Sequence, residues 1–297
     1  MTEATARPRR SARTWINVAR LLGLGLMLLW SLGPVYVSLI TSFTRPSDLT
    51  TSPAYLVPPA ITFEHLAHLF GATSTVQGNT VQSVWPQFRQ ATLNSLITSV
   101  AATLVTAVLA TLAGYAFTRL RFPGRNLLFF LVLSSLAIPA YTVMIPLYRM
   151  MISLHLVNTY LGITLIYASA FLPLALWLMR NFFASVPIEL EEAAWLDGAS
   201  RLRTLATIVL PLAAPGLVAV AILTFLSTWG QFIVPLVFSP SLATKPLTVL
   251  IPEFVTRNSV DYGLINAAGL IAMVPPVLVV IFLNRFLVRG LTAGAGK

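Results

Sequence analysis

Residues 160–179 read YLGITLIYASAFLPLALWLM, a run without a single charged side chain. A helix needs about 20 mostly apolar residues to cross the hydrocarbon core of a bilayer. Five further stretches meet the same requirement: residues 21–40, 93–117, 127–147, 212–233 and 264–283. No Asp, Glu, Lys or Arg lies inside any of these stretches. The sequence therefore predicts an all-α integral membrane protein with about six transmembrane helices.

The composition is that of a chain immersed in lipid rather than in water. Hydrophobic residues make up 57% of the chain and charged residues only 9%, whereas soluble domains are roughly 25% charged. The net charge of +10 does not indicate nucleic acid, because the basic residues flank the apolar runs and form no stripe interleaved with stacking aromatic residues. The absence of Cys excludes disulfides and thiolate chemistry.

The positions of the basic residues predict the orientation, because Lys and Arg concentrate in cytoplasmic connections. If the N-terminus is cytoplasmic, only five of the 19 basic residues fall outside: Arg45, Arg89, Arg149, Lys245 and Arg257. Both termini are then cytoplasmic. The predicted organisation is a basic N-terminal segment (1–20), a six-span transmembrane domain (21–283) with an external loop (41–90) and a cytoplasmic loop (180–210), and a cytoplasmic tail (284–297).

The sequence offers no energy source of its own. Proton- or sodium-coupled carriers need ionisable groups or unwound ion sites within the membrane, and the spans carry no charge. A phosphate-binding P-loop requires a Lys in a Gly-rich setting, and neither Lys245 nor Lys297 lies in one. The three histidines, His65, His68 and His155, are not grouped as metal ligands. We therefore expect no catalytic residue, no metal and no bound cofactor.

The cytoplasmic loop is predicted to form two short helices joined by a turn. Ser185 is a candidate N-cap and Pro187 falls in the first turn, followed by three glutamates near the positive end of the helix dipole. Gly198, after Asp197, permits a turn with positive φ. A second helix is expected from Ser200 into the fifth span.

This loop carries a spaced motif in which small, acidic and apolar residues hold fixed positions. It consists of Glu192, Ala193 and Ala194, then Gly198 after three residues, Ile208 after nine more, and Leu210-Pro211 after one more. The pattern resembles the EAA signature of ABC importer permeases at every fixed position and both spacings.

Resemblance to the carbohydrate-uptake branch of that family, in particular to the maltose-type second permease, extends over nearly the whole chain. It rests on Thr41-Ser42-Phe43, Tyr115-Ala116-Phe117, Arg121-Phe122-Pro123-Gly124, and the C-terminal Gly290-Leu291-Thr292-Ala293-Gly294. One departure is Gly230-Gln231, where relatives often carry Asn-Glu.

The resemblance implies a type I ABC importer permease fold in which the motif loop docks on an ATPase subunit. It assigns this coupling to Glu192, Ala193, Ala194, Asp197, Gly198, Ile208, Leu210 and Pro211. It also places the tail residues Gly290, Leu291, Thr292, Ala293 and Gly294 in contact with the ATPase. Elementary chemistry agrees, because small residues allow close approach and a carboxylate attracts a cationic partner.

The partners implied by the resemblance are a second permease, two ATPase subunits that hold ATP and Mg, and an extracytoplasmic solute-binding protein. The location would be the prokaryotic cytoplasmic (inner) membrane. The substrate would be a sugar such as a di- or oligosaccharide, with a polyol or glycerophosphate as alternatives. Trp229, Gln231 and Phe232 are candidates for the substrate path or else pack helices together. A self-sufficient carrier or an intramembrane enzyme is the rival class.

Overall fold

The structure is a computed structural model that describes residues 10–49, 56–72, 74–76, 79–81, 83–255 and 261–294. The fold is almost entirely helical. Two compact units divide the chain: unit 1 comprises Met1–Ser83 and Phe254–Ile271, and unit 2 comprises Val84–Glu253 and Ala272–Lys297. The following descriptions apply to the described residues of each unit.

Unit 1 combines helices with a small hairpin. Its elements are α1 (Arg10–Phe43), α2 (Glu64–Leu69), the antiparallel strands β1 (Ser74–Val76) and β2 (Asn79–Val81), and the first part of the last helix, α12 (Tyr262–Gly294). Thr62 donates its amide to the carbonyl of Phe43 at 2.9 Å, which joins the two ends of the intervening loop.

Unit 2 is built on two long helices that pack side by side. Its elements are α3 (Trp85–Arg119), α4 (Arg125–Ser134), α5 (Met144–Ser153), α6 (Tyr160–Ala184), α7 (Glu189–Leu196), α8 (Arg201–Leu212), α9 (Ala214–Trp229), α10 (Ile233–Phe238), α11 (Leu247–Leu250) and the rest of α12. A Cβ atom at Gly114 of α3 would lie only 3.0 Å from the Cβ atom of Met179 on α6. The missing side chain therefore allows the two helices to approach closely.

The ends of α3 and α6 agree with the predicted sides of the membrane. At one end, the hydroxyl of Thr118 donates to the carbonyl of Arg180 at 3.3 Å. At the other end, the side-chain amide of Asn94 accepts from the hydroxyl of Tyr160 at 2.7 Å. The two helices are therefore parallel, and the segment between them must return across the unit.

Among the described residues, four helical segments are long and apolar enough to cross a membrane. They are Asn17–Phe43, Trp85–Arg119, Tyr160–Ala184 and Tyr262–Leu283. A fifth is counted if Arg201–Leu212 and Ala214–Trp229, which meet at an angle of 79°, form one span. The third and fifth of the roughly six predicted spans are therefore interrupted rather than continuous helices.

The third predicted span, residues 127–147, consists of two short helices with irregular backbone between them. α4 ends at Ser134 and a 3₁₀ turn covers Ser135–Ala137. Ile138 then has an extended backbone with ψ 121°. Its neighbour Pro139 disfavours the helical conformation in the preceding residue, which explains the break.

The fifth predicted span, residues 212–233, is also interrupted. α9 ends at Trp229, and α10 begins only at Ile233 after a break that includes Gln231. At the other end of α9, Pro215 stands in the first turn, where its missing amide is tolerated. These interruptions place irregular backbone between apolar helices.

Candidate coupling surface and cavity

The motif loop forms the predicted helix–turn–helix, with one correction at its start. Ser185 is not the N-cap of α7, because its hydroxyl donates to the carbonyl of Phe182 at 2.7 Å and it terminates α6 instead. The residue at the N-cap of α7 is Ile188. Since α6 runs further than its apolar stretch indicated, Ser185 serves the helix before it.

The turn after α7 is confirmed at Gly198, whose φ is 83°. The amide of Gly198 donates to the carbonyl of Trp195 at 3.0 Å, and the amide of Ala199 to that of Ala194 at 2.9 Å. These bonds satisfy carbonyls at the end of the helix, as C-terminal capping turns do. The predicted start of the next helix is also confirmed, because the Ser200 hydroxyl accepts the amide of Arg203 at 3.3 Å.

One face of α7 is open and combines acidic with apolar side chains. Glu192, Ala193 and Asp197 are exposed, and Leu196 is 89% exposed. Leu202 on the following helix is 70% exposed. Large exposed apolar side chains beside carboxylates are typical of a surface that a partner covers.

The other motif residues differ in how deeply they are buried in unit 2. Ala194 is buried, Ile208 and Leu210 are half-buried, and Pro211 is exposed. The backbone of residues 290–294 continues α12 to Gly294.

Sequence reasoning missed the acidic residue that is most tightly held. Glu191 is fully buried, whereas the motif residue Glu192 is exposed. The Glu191 carboxylate accepts the Nε–H of Arg119 at 2.5 Å and the hydroxyl of Tyr115 at 2.8 Å. The sequence places Glu189, Glu191 and Glu192 in the first turn of this helix but does not reveal which of them faces inward.

Unit 2 contains a partly open cavity of about 460 Å³ beside the interrupted spans. Its lining is Ser135, Leu136, Ile138, Ala140, Val143, Met144, Leu147, Ile166, Tyr167, Ser169, Ala170, Phe171, Gln231, Val234 and Phe238. No charged side chain is among them. Irregular backbone at membrane depth is tolerated where it is buried in protein or lines a cavity, and both breaks contribute to this lining.

The structure brings one of the three candidate path residues to the cavity. Gln231 lines it. Trp229 is buried elsewhere, stacked on Phe225 and donating its Nε1–H to the carbonyl of Ala272 at 3.1 Å. Phe232 is half-exposed and outside the lining.

Interrupted apolar helices around a cavity, with an exposed acidic and apolar helix at one end, define a polytopic membrane permease. Residues 107–293 match the family of binding-protein-dependent transport system inner membrane components. The chain belongs to that family.

Relatives from bacteria and archaea are similar over most of the chain. The permease of an osmoprotective-compound uptake system of Synechocystis sp. is 38% identical over 70% of this chain and 70% of its own. The trehalose/maltose permease of Thermococcus litoralis is 36% identical over 69% of this chain and 74% of its own. The diacetylchitobiose uptake permease of Streptomyces coelicolor is 30% identical over 91% and 86%.

A solved structure shows the same fold. A chain of a bacterial ABC transporter involved in the import of the acidic polysaccharide alginate superposes with a TM-score of 0.80 at 23% identity, covering 95% of this chain and 99% of that one. The chain thus has the fold of an ABC importer permease.

Proposed function

We propose that this chain is the permease subunit of an importer that moves a neutral, hydroxyl-rich solute, namely a sugar, through the cavity beside its interrupted helices. The observation that carries the proposal is the uncharged, mixed polar and aromatic lining of that cavity. Aromatic faces suit the C–H surfaces of a sugar, and amides and hydroxyls suit its hydroxyl groups.

Tyr167 supplies the most specific polar group. Its side chain is only 2% exposed, but its hydroxyl oxygen keeps some accessible surface. No protein group accepts from it among the described residues, and it belongs to the cavity lining. A ligand hydroxyl in the cavity would satisfy it. Gln231 adds a side-chain amide on the same lining.

The absence of charge in the lining distinguishes between substrate classes. Phosphate groups are bound in proteins by Arg, Lys or clusters of backbone amides. The 15 lining residues include no Arg, Lys or His. A sugar or polyol therefore fits this cavity better than a glycerophosphate. The named substrates of two relatives, trehalose/maltose and diacetylchitobiose, support a sugar, whereas the name of a third relative, from Yersinia pestis, specifies sn-glycerol-3-phosphate.

The open face of α7 would take an ATPase subunit in the cytoplasmic (inner) membrane of a prokaryote. Glu192, Asp197 and the exposed Leu196 offer this partner both charge and apolar area. The full assembly would contain a second permease, two ATPase subunits that bind ATP and Mg, and an external solute-binding protein. The matched family's description as binding-protein-dependent supports the last of these.

The test is uptake by proteoliposomes that contain the complex with its cognate partners. We expect ATP-dependent accumulation of a di- or oligosaccharide, competed by related sugars but not by glycerol phosphate. Purified alone, the chain should neither hydrolyse ATP nor move solute. ATP-independent flux through the isolated chain would instead support a self-sufficient carrier, and competition by glycerol phosphate would reject the neutral substrate class.

A further inference from the structure

Arg119 joins α3 to both α7 and the segment that precedes it. Its Nε–H donates to the carboxylate of Glu191 at 2.5 Å, and its Nη2 donates to the carbonyl of Val186 at 2.6 Å. The side chain of Arg119 is only 10% exposed and that of Glu191 is fully buried. One guanidinium therefore fixes the position and the direction of α7.

The same end of α3 is also fastened to α6. The Tyr115 hydroxyl donates to Glu191 at 2.8 Å, while its ring packs edge-on against Phe183 with centroids 6.1 Å apart. One turn along, Thr118 bonds the carbonyl of Arg180. The ends of α3, α6 and α7 are consequently held as one block.

The C-terminal end of α7 is connected to the transmembrane helices less directly. It turns at Gly198 into α8, which contains a π-helical turn at Leu205–Val209. α8 then meets α9 at an angle of 79°. A displacement of α7 would therefore pass first to α3 and α6, and α6 carries Tyr167 of the cavity lining.

We propose that the Arg119–Glu191 ion pair, completed by Tyr115, is the positioning link that makes α7 move together with α3 and α6. This inference rests on the proposed function, since it explains how a force on α7 would reach the cavity. A buried ion pair adds little net stability over apolar packing, but separating its partners leaves an unpaired buried charge. The pair thus resists separation strongly, which is the property that a mechanical link needs.

The first test compares Glu191→Gln with Glu189→Gln in the assembled complex. Glu191→Gln preserves shape but removes the charge, while Glu189, an exposed glutamate on the same helix, provides the matched control. We expect solute moved per ATP hydrolysed to fall about tenfold in Glu191→Gln, because losing a charge-assisted hydrogen bond changes an equilibrium by that order. The ATPase subunits should still co-purify. Glu189→Gln should retain the wild-type ratio.

Two outcomes would overturn the inference. A proportional fall in transport and hydrolysis would indicate a merely structural pair, and an unchanged ratio would show that the pair transmits nothing. If Glu191→Gln cannot be purified, Tyr115→Phe keeps the ion pair and removes one hydrogen bond. This variant should lower the same ratio by a smaller factor, and a wild-type ratio in Tyr115→Phe would also overturn the inference.

The second test does not depend on transport. Because the chain contains no Cys, spin labels can be placed uniquely in this chain at Leu112→Cys on α3 and Leu190→Cys on α7, both exposed. We expect one narrow distance that ATP leaves unchanged, and a broad distribution once Glu191→Gln is added. A broad distribution without that change would overturn the link. A complex that shows the narrow distance but no transport would reject the proposed function and still support the positioning link between α7 and α3.

Discussion

The ring of His65 on α2 occupies the space that a Cβ atom on Gly263 of α12 would fill. Both ring nitrogens face acceptors: Nδ1 lies 3.3 Å from Oδ1 of Asp261, and Nε2 lies 3.0 Å from the carbonyl of Thr44. The same Asp261 oxygen accepts the amide of Leu264 at 2.8 Å. His65 therefore ties the start of α12 to the segment after α1.

A side chain at Gly263 should disturb this junction. We expect Gly263→Ala to lower the thermal stability of the detergent-solubilised protein by about 1–3 kcal/mol, because extra bulk in a packed site forces its neighbours to shift. Gly269→Ala on the same helix, where an added Cβ meets nothing within 4 Å, should be neutral or slightly stabilising. Equal unfolding temperatures for the two variants would contradict the packing seen at His65.

The His65–Asp261 pair should also make the stability of unit 1 depend on pH. Burial lowers the pKa of His65, but the Asp261 carboxylate and the Thr44 carbonyl outweigh it, so the net shift is upward from 6.5. Burial raises the pKa of Asp261, but the hydrogen bonds from His65 and Leu264 outweigh it, so the net shift is downward from 3.8.

The signs of these shifts define the pH window. The contribution of His65 is fully present below pH 6.5 and is lost as the pH rises through its raised folded-state pKa. The contribution of Asp261 is present above pH 3.8 and is lost as the pH falls through its lowered folded-state pKa. Thermal unfolding of the wild type should therefore show a stability that declines as the pH rises above 6.5. His65→Gln should remove this part of the decline, and an identical pH profile in that variant would argue against the pair.

The turn at Gly198 should be required for partner binding. Its φ of 83° is unfavourable for a β-branched residue, so Gly198→Val adds strain of about 1–2 kcal/mol. Gly124→Val introduces the same strain at φ 76° in another connection at the same predicted side of the membrane. We expect both variants to insert in the membrane, but only Gly198→Val should recover little ATPase subunit on co-purification. Equal recovery in both would reject the coupling role of the turn.

The motif carboxylate should contribute to the same association more weakly. Glu192 is exposed on α7, and exposed ion pairs are worth about 0.2–1 kcal/mol. Glu192→Ala should therefore reduce ATPase recovery only severalfold, and the loss should be smaller in high salt because screening weakens the wild-type contact. A salt-independent loss would indicate that packing rather than charge is affected.

The cavity hydroxyl should affect substrate affinity. We expect Tyr167→Phe to raise the solute concentration for half-maximal uptake by about 2- to 10-fold, as loss of one neutral hydrogen bond implies. Tyr141→Phe removes a hydroxyl from an exposed tyrosine near the broken span but outside the lining, so uptake should not change. Equal affinities in both variants would remove Tyr167 from the path.

The sequence by itself determined the features that depend on local pattern. Apolar length and the distribution of Lys and Arg predicted a polytopic helical protein and the way in which the ends of α3 and α6 are grouped in unit 2. Motif spacing predicted the turn at Gly198, because a residue with φ of 83° needs glycine wherever it lies in the fold.

Only the tertiary structure decided which side chains face each other. Successive residues of a helix point about 100° apart, so Glu191 and Glu192 are equivalent in charge pattern. Packing against Arg119 and Tyr115 buries the first of them. His65 and Asp261 are far apart in sequence, and no local rule pairs them. The cavity likewise arises where two interrupted spans meet α6. A proline may break or merely bend a membrane helix, and the neighbours that satisfy the freed backbone groups determine which occurs.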